Sequence, residues 1–303
     1  MSLPLKELIN IGQKQLEDAG ITDAARDAKE LYCFLAKLDE VGFMMHWQDI
    51  LQDSQCEGYF ELVERRAAGE PFQYITGTQE FMGLPFIVNP SVLIPRQDTE
   101  TMVEDAVEII NKGTLRGEPL SKGANIKEVL DLCSGSGAIG VSIAKLCPKT
   151  KVTCSDVSDE ALKVASQNAN ANGCKSIKFQ KSDLLEAFCG KIGKKKFDLI
   201  ISNPPYIESS VIPTLQREVK DHEPMMALDG GEDGLDFYRQ ICSEAAGHLN
   251  KNGLIMLEIG YNQGETVTSL LEATERFENI ICLKDLARKD RIVVATLQGK
   301  KKK

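Results

Sequence analysis

Val129-Leu130-Asp131-Leu132-Cys133-Ser134-Gly135-Ser136-Gly137, continued by Ala138-Ile139-Gly140, runs from a short apolar segment through a turn of small residues into a helix start. Glycines let the backbone adopt positive φ and approach a ligand closely. In open α/β sheets, ligands bind beyond the carboxyl ends of the strands, near the point where strand order reverses. Only Gly135-x-Gly137 is present, with Asp131 at the strand end, so this is not the dinucleotide fingerprint. Asp131 suits a cation or an amine. A structural βα turn would use the same residues, so the flanking sequence has to decide.

Downstream, strand and helix patterns alternate. Glu128–Leu132, Lys151–Ser155, Ser176–Gln180, Phe197–Ser202 and Gly253–Ile259 read as strands. Ala138–Leu146, Asp159–Asn172, Leu235–Leu249 and Gly264–Thr274 read as helices, with Asn172-Gly173 as a stop signal. Glu278–Leu283 and Arg291–Leu297 follow without a helix between them, which predicts an antiparallel edge pair. The expected fold is α/β: a seven-stranded, mostly parallel sheet covered on both faces. No internal repeat is visible.

Upstream, Asp98–Ile110 reads as a helix and Asn111–Asn125 as a Gly-rich surface loop. Glu80–Val88 holds two apolar runs around Gly83, a β-hairpin pattern, and Gly69–Gly77 is a turn-rich segment. Residues 3–68 carry Leu5, Leu8, Ile9 and Leu16, then Leu31, Phe34, Leu35 and Leu38, near helical spacing. The expected organisation is an N-terminal helical bundle over 1–75 that binds a partner, a hairpin connector over 76–97, and a catalytic domain over 98–303.

The 303 residues are 42% hydrophobic and 27% charged, which excludes global disorder. No apolar run reaches the ~18 residues of a membrane helix, the start lacks the basic-then-apolar layout of a signal peptide, and the early acidic Glu7 argues against a mitochondrial presequence, so the cytosol is expected. The net charge is −9, and residues 1–70, with seven Lys/Arg against fourteen Asp/Glu, carry −7 of it. That is a poor surface for phosphate backbones. The dense basic run Lys300–Lys303 reads as a solvated tail. Nine scattered cysteines without a Cys-x-x-Cys pair, and three dispersed histidines, point to reduced thiols and no metal centre.

Three further strand ends carry polar groups. Asp156 stands nineteen residues after Gly137, where a carboxylate holds a ribose hydroxyl pair in Rossmann-type sites; capping the following helix is its plain alternative. Asp183, before Leu184, is placed to accept from the exocyclic amine of a purine. Asn203-Pro204-Pro205-Tyr206 follows the most apolar strand. Two prolines stiffen that loop and remove two donors, leaving bare carbonyls. Asn203 Oδ1 and the Pro204 carbonyl are suited to grip both N–H bonds of a planar amino group, with Tyr206 offering a ring face. Such a group needs positioning more than a general base.

These acidic strand ends, without a phosphate-binding glycine cradle, match the layout of Rossmann-like class I S-adenosylmethionine-dependent methyltransferases. Asn-Pro-Pro-Tyr resembles the motif of enzymes that methylate adenine N6, guanine N2 or glutamine N5. Gln73-Tyr74-Ile75-x-Gly77, Glu80-Phe81 and Val92-Leu93-Ile94-Pro95-Arg96-x-Asp98-Thr99-Glu100 narrow it, with Glu223-Pro224, Leu228 and Leu257-Glu258-x-Gly260 further on. From about Gly69 to the C terminus the chain is similar to the protein-(glutamine-N5) methyltransferases of the HemK/PrmC family. The resemblance implies methylation of the glutamine in a Gly-Gly-Gln loop of class I peptide chain release factors. S-adenosylmethionine would be the cofactor, S-adenosylhomocysteine the product, and no metal would be needed. It assigns cofactor contacts to Asp131, Cys133, Ser134, Gly135, Ser136, Gly137, Asp156, Asp183, Leu184 and Asn203, and the target side chain to Asn203–Tyr206. Phe81 would line the same pocket, with Arg96 and Glu100 bracing the connector or forming a plain salt bridge. Cys133 stands where glycine is common, Leu184 where an aromatic can flank adenine, and Gln97 departs within the Ile-Pro-Arg stretch; none of these blocks the activity. A DNA adenine or RNA guanine methyltransferase would need a basic face that this acidic chain lacks. A ribosomal-protein glutamine stays open as the alternative acceptor. A monomer is expected, since a whole release factor must reach the cleft.

Overall fold

Seven strands form one sheet: β1 (Glu128–Leu132), β2 (Lys151–Asp156), β3 (Lys178–Lys181), β4 (Phe197–Ser202), β5 (Leu249–Glu258), β6 (Phe277–Lys284) and β7 (Asp290–Leu297). The computed structural model describes residues 2–120, 125–190 and 193–299; the Lys300–Lys303 run and residues 121–124 of the Gly-rich loop lie outside them. The order across the sheet is β6-β7-β5-β4-β1-β2-β3. Strands β1 to β5 are mutually parallel, and β7 pairs antiparallel with both β5 and β6. The order reverses between β1 and β4.

Successive residues of the central strands fill opposite cores, as a period of two requires. Val129, Leu199, Ile201, Leu254 and Met256 enter one apolar cluster; Leu130, Leu132, Ile200, Ile255 and Leu257 enter the other. Burial on both faces is why these strands read as unbroken apolar runs rather than alternating ones.

Two units share the chain: Met1–Thr78 with Leu215–His222, and Gln79–Thr214 with Glu223–Lys303. The first contains α1 (Leu5–Asp18), α2 (Ala24–Ala36), α3 (Glu40–Met45), α4 (Asp53–Ala67) and α5 (Phe72–Thr76), with Leu3–Pro4 paired to Ile50–Leu51. Its core gathers Leu5, Leu8, Leu16, Leu31 and Val63 around Tyr59, whose hydroxyl donates to the Ala28 carbonyl at 3.1 Å. Gly12 lets α1 approach that ring: a Cβ there would lie 2.1 Å from Tyr59 Oη. The buried Arg66 pairs with Asp27 at 2.7 Å and with Glu218 at 2.8 Å. This pairing joins Leu215–His222 to the bundle. Removing one partner of the buried Arg66–Asp27 pair costs roughly 3–5 kcal/mol.

In the second unit, α6 (Gln97–Lys112), α7 (Ala138–Leu146) and α8 (Asp159–Ala171) contribute to one core. Helices α9 (Asp236–His248) and α10 (Gly264–Ala273) contribute to the other. The hairpin Thr78–Phe81/Leu84–Ile87 turns through Met82 and Gly83, both at positive φ. Asn168 on α8 holds it: Ile87 N donates to Asn168 Oδ1 at 2.6 Å, and Asn168 Nδ2 donates to the Ile87 carbonyl at 3.0 Å.

Three segments differ from the sequence expectation. The turn-rich stretch contains α5, whose five residues between Pro71 and Gly77 are too few to show periodicity. The Gly-rich loop contains a short antiparallel pair, Thr114–Leu115 with Glu118–Pro119. Strand β5 starts at Leu249, not Gly253, because its pairing with β4 is irregular between Phe197 and Leu199 and Asn252 sits at φ 60. A local kink of that kind reads as a turn.

Candidate active site

The parallel register brings the strand ends to one edge. Asp131 lies opposite Ile201 and Cys154, and Ser202 lies opposite both Leu132 and Leu257. Beyond this edge lies a cavity of about 590 Å³, within the range of small-molecule sites. Its wall combines the β1–α7 turn, the ends of β2, β3 and β4, the connector before α6, and the segment Pro224–Ala227.

The β1–α7 turn is held open by left-handed backbone. Cys133, Gly135 and Gly137 have φ of 59, 51 and 77. A Cβ on Gly137 would lie 2.9 Å from the Ala165 Cβ, whereas nothing lies within 4 Å of one built on Gly135. Glycine at 137 is therefore demanded twice, by conformation and by space. Ser134 N donates to the Ser155 carbonyl at 2.9 Å, and Asn168 Nδ2 donates to the Ser136 carbonyl at 2.9 Å. The hydroxyl of Ser134 is buried and has no hydrogen-bond partner among the described residues. Cys133 lines the cavity, and burial pushes its thiol up.

Asp156 faces the same space. Its Oδ2 accepts from Gly135 N at 2.9 Å and its Oδ1 from Ser158 N at 2.9 Å. Burial pushes its carboxyl up against these hydrogen bonds. It does not cap α8; Ser158 does, accepting from Ala161 N at 3.2 Å. Asp183 and Leu184 also line the cavity, Leu184 at φ 41 and anchored by Ser182 Oγ donating to its carbonyl at 2.6 Å.

Asn203 and Pro205 reach the cavity from the end of β4. The loop is braced from behind. Gln263 Nε2 donates to the Tyr206 carbonyl at 3.0 Å, and Ile207 N donates to the Leu228 carbonyl at 3.0 Å. Gly230 and Gly234 leave room for it, since a Cβ on Gly234 would lie 2.4 Å from the Tyr206 oxygen. Burial pushes the Tyr206 phenol up to about 12.

Asp131, Gly137, Pro204 and Tyr206, expected at the site, are not among the residues that line the cavity. Asp131 is fully buried behind the turn, where its Oδ2 accepts from Gly140 N at 2.8 Å, and burial pushes its carboxyl up to about 7. Phe81 lines the cavity from the hairpin. Arg96 pairs with the buried Glu223, and Glu100 accepts from Met82 N at 2.5 Å. These two residues hold the Pro224 segment and the hairpin turn.

Sequence reasoning gave no role to Val157, Thr99, Met225 or Met226, all of which line the cavity. A valine directly after an acidic strand end was the available signal for Val157. Among the described residues, no group of His, Cys, Asp and Glu is arranged to hold a metal, and no helix is long and apolar enough to cross a membrane.

Two protein families match this sequence: the PrmC N-terminal domain over residues 7–77 and the methyltransferase small domain over 118–221. The release factor glutamine methyltransferase of Clostridium acetobutylicum is 40% identical over 90% of this chain and 91% of its own length. That of Clostridium botulinum is 38% identical over 96% of this chain and 98% of its own. Among solved structures, the Thermus thermophilus 16S rRNA N2 G1207 methyltransferase in complex with AdoMet and guanosine superposes with a TM-score of 0.50. It is 20% identical, over 73% of this chain and 50% of that one, a likeness of fold.

Proposed function

The chain belongs to the release factor glutamine methyltransferase family, and we propose that it methylates the side-chain nitrogen N5 of the glutamine in a Gly-Gly-Gln motif of class I peptide chain release factors. It is an S-adenosylmethionine-dependent methyltransferase. The observation that carries the finer reading is that Asn203 and Pro205 line the same cavity as Cys133, Ser134, Gly135, Ser136, Asp156, Asp183 and Leu184. An amide-gripping loop and a nucleoside-sized recess thus share one space.

The residues present fit the cofactor. The partnerless Ser134 hydroxyl and the open left-handed backbone at Gly135 offer polar contacts without a side chain in the way. Asp156 keeps acceptor capacity for ribose hydroxyls after bonding its own backbone, Asp183 suits a purine amine, and Val157 and Leu184 offer apolar faces. Asp131 and Gly137 shape the turn from behind. Bound there, S-adenosylmethionine supplies a methyl group on a positively charged sulfur and becomes S-adenosylhomocysteine on transfer.

The chain's own residues do the rest. Asn203 Oδ1 and the Pro204 carbonyl accept the two N–H bonds of the glutamine amide, which fixes the plane of a nitrogen whose lone pair is delocalised. Pro204 and Pro205 keep those acceptors rigid, and Tyr206, packed against the apolar core, backs the loop. Holding the nitrogen in line accounts for most of the rate, because positioning and fixed dipoles act without reorganisation. No side-chain base is required, since the amide nitrogen becomes acidic only as the new bond forms, and its proton leaves afterwards.

The acidic bundle over 1–75 supports docking of a protein rather than a nucleic acid. The enzyme would act as a cytoplasmic monomer on an intact release factor. The test is transfer of labelled methyl from S-adenosylmethionine to purified release factor and to its Gly-Gly-Gln glutamine-to-alanine variant, with ribosomal protein and DNA in parallel. Label on the wild-type release factor alone is expected. Label on DNA or ribosomal protein instead would replace the substrate assignment.

A further inference from the structure

The parallel register that sets Ser202 opposite Leu257 puts Asn203 and Glu258 one step further along, side by side at the strand ends. Glu258 is 1% exposed, and its Oε2 has no hydrogen-bond partner among the described residues. Thr99, from the first turn of α6, completes the group: Asn203 Nδ2 donates to Thr99 Oγ1 at 3.3 Å, and the side chains of Thr99 and Asn203 both favour the charged form of the neighbouring Glu258 carboxyl. The Arg291 guanidinium nearby is already committed to Asp98 at 3.0 Å and Asp285 at 3.2 Å.

A carboxamide has one accepting and one donating end, and it turns to suit its neighbours. A hydroxyl such as Thr99 can satisfy either end. An ionised carboxylate cannot, because it only accepts. Burial pushes the Glu258 carboxyl up, and against it the Thr99 side chain, the Arg291 charge and the Asn203 side chain favour the ionised form. With Glu258 beside it, the Thr99 proton is drawn to the carboxylate and Thr99 Oγ1 is left to accept from Asn203. Both neighbours then claim the Asn203 NH2, and its Oδ1 is turned to the cavity. Without the carboxylate, the Thr99 hydroxyl is free to donate to Asn203 Oδ1, which turns the NH2 towards the substrate amide, donor facing donor.

We propose that Glu258, acting with Thr99, is a positioning residue that sets which end of the Asn203 carboxamide faces the substrate. This inference rests on the reading of Asn203 as the amide acceptor.

The test uses the full chain with release factor as substrate. Glu258→Met keeps an unbranched side chain of similar length but removes the acceptor. It should lower kcat by about 10- to 100-fold, less than the roughly 100- to 1,000-fold of losing a preorganised contact outright, because Asn203 itself remains, with cofactor affinity by calorimetry within about twofold of wild type. Glu258→Gln, which keeps one acceptor oxygen, should retain more activity than Glu258→Met. The decisive variant is Asn203→Asp, which presents an oxygen whichever way it turns. Beside Glu258 it should be slow, because two carboxylates repel; combined with Glu258→Met it should exceed Glu258→Met alone. A merely structural role for Glu258 gives no such reversal. A Glu258→Met kcat within twofold of wild type overturns the proposal. So does loss of cofactor affinity in step with kcat, or failure of Asn203→Asp to raise the Glu258→Met rate. Normal turnover by Asn203→Ala would instead remove the parent reading, and the proposal with it; an inactive Asn203→Ala beside a fully active Glu258→Met would remove the orientation role alone.

Discussion

The carboxylate of Asp156 accepts a hydrogen bond from the Gly135 amide at 2.9 Å, so the end of one strand holds the glycine turn of another. Asp156 therefore shapes the turn, and the proposed function gives it a second duty, receiving a ribose. Asp156→Ala should weaken S-adenosylmethionine binding by about 10- to 100-fold, the loss of one or two hydrogen bonds to a charged group. Calorimetry on the purified variant reads this directly. Unchanged affinity would remove the ribose assignment and leave Asp156 a turn residue.

Asn203 should separate binding from chemistry. Its carboxamide enters the cavity from the end of β4. Asn203→Ala should bind cofactor within about twofold of wild type yet lose at least 100-fold in methyl transfer, as loss of a preorganised polar contact does. Equal loss in both measurements would make Asn203 part of the cofactor site only.

Much of this was legible because it is local. Strand β4 announces itself as Leu199-Ile200-Ile201, since both its faces are buried, and Asn203-Pro204-Pro205-Tyr206 is contiguous. What stayed hidden depends on contacts distant in sequence. Leu215–His222 joins the helical unit through Glu218, whose partner Arg66 is far upstream. Thr99 reads as part of a helix start and of a family motif, with no role of its own until β4 and β5 bring Asn203 and Glu258 beside it. Asp131 reads as a ligand contact because of its place before the turn, yet the chain turns it inward to Gly140.

The helical unit offers a stability test independent of the site. Gly12 and Tyr59 set how closely α1 and α4 approach, and a methyl at Gly12 would lie 2.1 Å from the phenol oxygen. Glycine costs helix propensity, so an alanine here would otherwise stabilise by up to about 1 kcal/mol. Overpacking should outweigh that gain: Gly12→Ala is expected to destabilise by about 1–3 kcal/mol, seen as a lower melting temperature. A raised melting temperature would show that Tyr59 can move aside at no cost.

Asp131 should make stability depend on pH in a direction opposite to that of an ion-paired carboxylate. Burial pushes its carboxyl up to about 7 in the folded chain, from an ordinary value near 3.8. The folded state then holds a proton that the unfolded state has lost, so this group's contribution is fully present below about pH 4. It declines as pH rises and is gone above about 7. Asp27, Asp105, Asp156 and Glu258 are shifted upward by burial as well, so the wild-type profile alone does not single out one residue. The difference between wild type and Asp131→Asn does. The asparagine keeps an acceptor for Gly140 N but has no charge to desolvate. Its stability relative to wild type should rise between pH 5 and 7.5 by an amount of order a few kcal/mol at most, followed by urea unfolding at each pH. A flat difference would mean that the Gly140 and Cys154 hydrogen bonds hold Asp131 ionised despite its burial. Asp131 would then be a charged brace behind the turn rather than a neutral one.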